Sequence, residues 1–106
     1  SGLYYNIETF GTGNFPTTCS SVEVSFTGYL SNWTNFESGD DKVLNLQHML
    51  PGWRIGLPFI KPGGKVRLYM PPSLAYAHSG KKDESGTQIV PPGSIVIYDI
   101  ELHNFY

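Results

Sequence analysis

Val22-Glu23-Val24-Ser25-Phe26-Thr27-Gly28-Tyr29-Leu30 is the stretch whose pattern speaks most directly of fold. Val22, Val24, Phe26, Gly28 and Leu30 fall on one side, and Glu23, Ser25, Thr27 and Tyr29 on the other. Successive side chains of a strand point to opposite faces, so this period of two marks a strand with one buried face. The pattern returns near the end of the chain. There Val96, Tyr98, Ile100 and Leu102 share one face, opposite Ile95, Ile97, Asp99, Glu101 and His103. Lys65 to Met70 predicts a third strand with Val66, Leu68 and Met70 facing in, and Leu3 to Phe10 a fourth, weaker one closed by Gly11-Thr12-Gly13.

The intervening segments read as turns, one helix and one long connection. Ser31 to Asn35 predicts a turn, Phe36 opens the next element, and Gly39-Asp40-Asp41 predicts a second turn before the short apolar run Val43 to Leu46. The only plausible helix lies in Pro51 to Ile60, where Leu50, Trp53, Leu57 and Ile60 recur at spacings of three and four. Pro51 suits its first turn. Pro58 cannot donate a backbone hydrogen bond and shortens or distorts it, and Pro62-Gly63-Gly64 ends it. Pro71 to Gly93 shows no clear period and predicts a long loop of the kind that is usually functional or disordered. The expected class is α+β: an antiparallel sheet, one short helix and one long loop.

The chain of 106 residues has the size of one domain and is too short for two cores, so residues 1–106 are expected to form a single domain, intact or excised from a longer chain. Twelve Gly and eight Pro punctuate it, yet aromatics are abundant (seven Tyr, six Phe, two Trp), which argues for a packed core. A net charge of −2 with scattered cations argues against binding a phosphate backbone. No apolar run approaches the ~20 residues of a membrane span, and the first residues lack the basic and apolar regions of a signal peptide. Compartment is left open; export to a bacterial periplasm or cell envelope, with the signal segment absent from this chain, is one expectation. Cys19 is the only cysteine, so no internal disulfide and no thiolate metal cluster is expected.

Other chemistries find little footing. His48, His78 and His103 stand far apart, without the ligand spacing of a metal site, and neither metal nor cofactor is expected. No G-x-S-x-G elbow supports a serine hydrolase. Gly11-Thr12-Gly13 and Pro62-Gly63-Gly64-Lys65 lack the frames of nucleotide loops. Glu37, Asp40 and Asp41 read as a solvated turn before they read as paired catalytic acids. Asn32-Trp33-Thr34 fits a glycosylation sequon, which is a weak signal. What remains is a stock of aromatic side chains that build either a core or an apolar ligand pocket.

Several short strings, in order, resemble the FKBP-type peptidyl-prolyl cis-trans isomerases. Val24-Ser25-Phe26-Thr27-Gly28-Tyr29-Leu30 resembles the family's V-x-Y-T-G-x-L strand and Phe36-Glu37-Ser38 its F-D-S. Met49-Leu50-Pro51-Gly52-Trp53 resembles V-I-x-G-W, and Gly64-Lys65-Val66-Arg67-Leu68 resembles G-x-K-x-x-L. Pro71 to Tyr76 resembles P-x-x-L-A-Y, Ile89 to Ser94 resembles I-P-P-x-S, and Tyr98 to Leu102 resembles F-D-V-E-L. Together they run from about residue 4 to 104.

The resemblance implies a half-barrel: a curved antiparallel sheet wrapped around the short helix, with a pocket between them. Trp53 would be its floor, Phe26, Phe36, Leu44 and Tyr98 its walls, and Met49, Leu50, Ile89 and Val90 its rim. Tyr76 would present its hydroxyl, and Leu50 its backbone N–H, to substrate carbonyls, while the acid at Glu37 would accept a hydrogen bond from a macrolide. The implied activity is isomerisation of apolar X–Pro bonds in peptides and unfolded clients, by a monomer without cofactor.

Several departures bear on this. Glu37 stands where the family has Asp, and Phe26 replaces a Tyr whose hydroxyl helps hold that acid. Leu44 replaces an aromatic wall, and Ala77 replaces a Gly. Lys81 to Thr87 also lengthens the loop over the pocket. These motivate the alternative expectation of a weakly active module that grips exposed apolar segments as a chaperone does.

Overall fold

The computed structural model describes residues 2–76 and 79–106. Its strands are β1 (Tyr4–Thr9), β2 (Ser21–Leu30), β3 (Asn35–Asn45), β4 (Lys65–Met70), β5 (Lys81–Lys82), β6 (Gln88–Val90) and β7 (Val96–Phe105), with one α-helix, α1 (Pro51–Gly56), between β3 and β4. Five strands make an open antiparallel sheet in the order β1-β4-β7-β2-β3. β7 and β2, the two strands with the clearest alternation, lie side by side within the sheet. β1 lies at an edge, mostly exposed, which is why its pattern is faint.

One face of the sheet carries the core. Val22, Val24, Val66, Leu68, Met70, Val96, Ile100 and Leu102 are all buried on it, and Leu46, Trp53, Leu57 and Ile60 close it from the helix side. Pro51 opens α1 at its first position, and a 3₁₀ turn (Leu57–Phe59) containing Pro58 follows Gly56. The missing N–H of Pro58 leaves the ladder no way to continue.

Two glycines set how closely helix and sheet approach. A Cβ on Gly56 would meet Leu68 Cδ2 at 2.6 Å, and one on Gly52 would overlap the side chain of Met70. Gly52 and Gly56 lie four apart on one helix face, and Met70 and Leu68 two apart on one strand face. The bare side of α1 therefore rests directly on β4, and Trp53 is carried into the core beside it.

Two expectations are corrected. Gly39-Asp40-Asp41 is no turn between elements, because β3 runs straight through it. Val24 pairs with Lys42 and Phe26 with Gly39, so Asp40 and Asp41 oppose the single residue Ser25. That is a β-bulge, and Asp41 adopts the positive φ of 50° that such features often require. The segment from Pro71 to Gly93 is likewise not structureless. It holds a 3₁₀ turn (Pro72–Leu74) and the β5–β6 hairpin, whose tip is tied by Asp83 Oδ1 accepting from the N–H groups of Ser85 and Thr87. Ala77 and His78 lie outside the described residues.

Candidate functional site

Five rings that the sequence places on five separate segments form one connected cluster through Trp53 and Tyr98. The indole is fully buried. Phe26 meets it edge-on at a centroid distance of 5.3 Å, Tyr98 does the same at 5.3 Å, and the two rings lie 6.2 Å from each other. Phe36 adds an edge contact to Tyr98 at 5.7 Å and to Tyr76 at 6.3 Å. Edge-to-face pairs set the positive rim of one ring against the negative face of the next, so five rings hold one another in fixed orientations. Among the described residues, Trp53 Nε1 finds no hydrogen-bond partner. An unpaired donor inside an apolar cluster is uncommon in native proteins.

Leu44, Met49, Leu50 and Ile89 are half-buried around the core, and Val90 is fully buried. Leu50 caps α1, its carbonyl accepting from the N–H groups of Trp53 and Arg54. Its own N–H precedes the helix ladder.

A polar chain crosses this apolar ground. The Tyr98 hydroxyl donates to Glu37 Oε1 at 2.8 Å, and the Tyr76 hydroxyl lies 2.9 Å from that of Tyr98. Lys81 Nζ, from the hairpin, lies 3.9 Å from Glu37 Oε2 and 5.3 Å from the centre of the Tyr76 ring. The less supported carboxylate that the Phe26 departure implies is thus corrected: a hydroxyl reaches Glu37 from Tyr98 on β7 instead. Burial pushes the Tyr98 phenol far above its ordinary value, with Tyr76 and Glu37 adding to the shift. Burial likewise pushes Tyr76 up to about 12, partly opposed by its hydrogen bond with Tyr98. Both phenols are neutral donors at any physiological pH.

Two surface clefts lie elsewhere, and Trp53 lines neither. One, of about 680 Å³, is lined chiefly by polar side chains of the outer sheet face, including Ser25, Thr27, Lys65, Asp99 and Glu101, with Phe26 at its border. The other, of about 510 Å³, lies beside α1 at Thr18, Gln47, Pro51, Arg54 and Ile55. Size would favour the first. Chemistry favours the aromatic cluster, because an apolar ligand gains little from a groove of mixed charge.

The sequence gives no hint of one further constellation. Ser25 Oγ lies 2.8 Å from His103 Nε2, and the same nitrogen lies 3.4 Å from Asp41 Oδ1. A hydrolytic triad needs the acid on Nδ1 and the serine proton available to Nε2. Here both contacts use Nε2, and the Ser25 hydroxyl donates to Asp40 Oδ1 at 2.7 Å while accepting from the Asp41 N–H at 3.2 Å. The three residues pin the bulge. Among the described residues, no group of three or more His, Cys, Asp or Glu is arranged to hold a metal ion, and no helix is long and apolar enough to cross a membrane.

Comparison with known proteins agrees with the geometry. Residues 13–103 match the family described as FKBP-type peptidyl-prolyl cis-trans isomerase. The FKBP-type peptidyl-prolyl cis-trans isomerase FkpA of Aeromonas hydrophila is 33% identical over 106 residues, 96% of this chain and 37% of that protein. A crystal structure of a peptidyl-prolyl cis-trans isomerase from Pseudomonas syringae pv. tomato superposes with a TM-score of 0.88 at 28% identity, covering 98% of this chain and 75% of that one. The crystal structure of Escherichia coli FkpA gives 0.86 at 33% identity, covering 98% of this chain and 48% of that one. The chain spans well under half the length of the curated Aeromonas hydrophila relative, 37% of it.

Proposed function

The chain belongs to the FKBP-type peptidyl-prolyl cis-trans isomerase family, and from that premise we propose that residues 1–106 act as one isomerase domain on apolar X–Pro bonds. The observation that carries the proposal is the Trp53-centred ring cluster, an apolar group of packed rings with one hydrogen-bonding edge at Tyr76.

Such a site suits the reaction. The X–Pro bond rotates only over tens to hundreds of seconds because amide resonance must be broken. Neither proton transfer nor covalent chemistry is required. The planar amide separates charge more than the twisted one, so an apolar surround penalises the ground state more than the transition state. Trp53 packs against the proline ring. The Tyr76 hydroxyl and the Leu50 N–H donate to substrate carbonyls, holding the flanking chain while the amide turns. Phe26, Phe36, Leu44 and Tyr98 wall the site, with Met49 and Ile89 at its mouth; Val90, expected at the rim, is fully buried in the core instead. A macrolide with a proline-like ring is a fitting inhibitor. The domain works as a monomer, and the match to bacterial FkpA proteins supports an exported setting for it.

The proposal is tested by fluorescence. Trp33 is half-exposed and would mask the signal, so the measurement uses a Trp33→Phe background. Adding an apolar proline peptide should then shift the emission of Trp53 with a saturable dose dependence. An unchanged spectrum at peptide concentrations where calorimetry registers binding would remove Trp53 from the site.

A further inference from the structure

Gly28 of β2 pairs with Glu37 of β3 on one side and with Tyr98 of β7 on the other. The acid and the phenol therefore belong to one row of the sheet, separated by a residue with no side chain. Any larger residue would close that gap, since a Cβ on Gly28 would meet Tyr98 Cε1 at 2.9 Å and Phe36 Cζ at 2.9 Å. Neighbouring strands lie about 4.8 Å apart, so acid and phenol must reach across roughly two such spacings. The long phenol and the extra methylene of Glu relative to Asp together make that reach.

The direction of the hydrogen bonds follows from valence. A carboxylate only accepts, so the single hydroxyl hydrogen of Tyr98 is committed to Glu37. The Tyr98 oxygen can then only accept from Tyr76. In the free protein the hydrogen that Tyr76 would give to a substrate carbonyl is aimed at Tyr98 instead, and the Tyr76 oxygen is held at one fixed place. Lys81, beside both Glu37 and the Tyr76 ring, encloses the chain from the hairpin side.

We infer that Tyr98 is the positioning residue of this site: anchored by Glu37 across Gly28, it holds the Tyr76 hydroxyl where an arriving substrate carbonyl takes over its hydrogen. The inference rests on the isomerase reading of the cluster and assigns the two polar departures at positions 26 and 37 a common purpose. The hydroxyl that steadies the acid has moved from β2 to β7, and from there it also reaches Tyr76. Substrate binding exchanges one hydroxyl bond for another, so the donor is pre-oriented without being sealed off.

A double-mutant cycle tests this, with kcat/KM on an apolar-X-Pro peptide and thermal unfolding measured in parallel. Tyr98→Phe keeps the ring against Trp53 and removes one oxygen. It and Tyr76→Phe should each lower kcat/KM several-fold to roughly tenfold. Combined, they should cost no more than Tyr98→Phe alone, to within about twofold, because an unpositioned Tyr76 hydroxyl has nothing left to lose. Glu37→Ala, at a partly exposed position, should erase the Tyr76→Phe effect in the same way. Proton NMR supplies a readout that packing alone would not move. The free protein should give a slowly exchanging Tyr98 hydroxyl resonance that Tyr98→Phe abolishes and Glu37→Ala shifts, and a Tyr76 hydroxyl resonance that moves when peptide is added. Losses that multiply in the double variant would overturn the positioning role while leaving the isomerase reading intact. A wild-type domain that accelerates no proline peptide would overturn both.

Discussion

Trp53→Ala is expected to reduce isomerisation to near the uncatalysed rate and to unfold well below the wild-type temperature. The indole is fully buried and makes edge contacts with both Phe26 and Tyr98. Emptying such a position costs about 3–5 kcal/mol, a large fraction of the roughly 5–15 kcal/mol by which a domain is usually stable. For a chain of this length, the midpoint should fall by about 4–8 °C per kcal/mol. Activity should suffer separately, since the proposed floor for the proline ring is gone and Phe26 and Tyr98 lose the ring that orients them. Trp53→Phe separates the two effects. It keeps a ring, removes the unpaired Nε1 donor, and should retain most of the stability while lowering turnover. Activity in Trp53→Ala within about tenfold of wild type, measured where the variant is still folded, would mean that the reaction happens elsewhere.

Gly52→Ala is the second large effect, and it acts on geometry. The added methyl would overlap the side chain of Met70, which is fully buried among core residues. Overpacking of this kind costs about 1–3 kcal/mol, against which better helix propensity returns at most ~1 kcal/mol. α1 must lift from β4, and Trp53, the next residue, lifts with it. The variant should therefore lose both stability and peptide affinity. Met70→Ala supplies the missing space at the price of its own cavity. The double variant should be more stable than the two single losses add up to, a coupling that two independent lesions would not produce. Additive losses would show that the contact between Gly52 and Met70 does not set the helix height.

The order of these elements was largely legible in the sequence, and the reasons differ by element. β2 and β7 declared themselves because each buries one face, and burial imposes the alternation. α1 was legible from Pro51, the spacing of Trp53 and Leu57, and the stop at Pro58. The bulge in β3 was not, because a bulge and a turn recruit the same residues: both need small or Asx side chains that tolerate positive φ, as Asp41 does. The β5–β6 hairpin escaped notice because strands of two and three residues carry no measurable period. Within the site, the aromatic residues were nameable one by one from the resemblance. The chain from Tyr76 through Tyr98 to Glu37 was not nameable, since it depends on Gly28 facing both partners at once. Register across three strands is a property of pairing, and composition does not carry it.

The most direct measurement of the central claim is a protease-coupled isomerisation assay on a short peptide with an apolar residue before proline. The cis fraction of such a peptide is cleaved only after it converts, so the slow phase reports the isomerisation rate. The account predicts a slow phase that accelerates in proportion to the amount of wild-type domain, stays at the uncatalysed rate with Trp53→Ala, and is several-fold less accelerated with Tyr76→Phe. No acceleration by the wild-type domain, at concentrations where Trp53 fluorescence registers bound peptide, would contradict it and leave a module that grips proline segments without turning them.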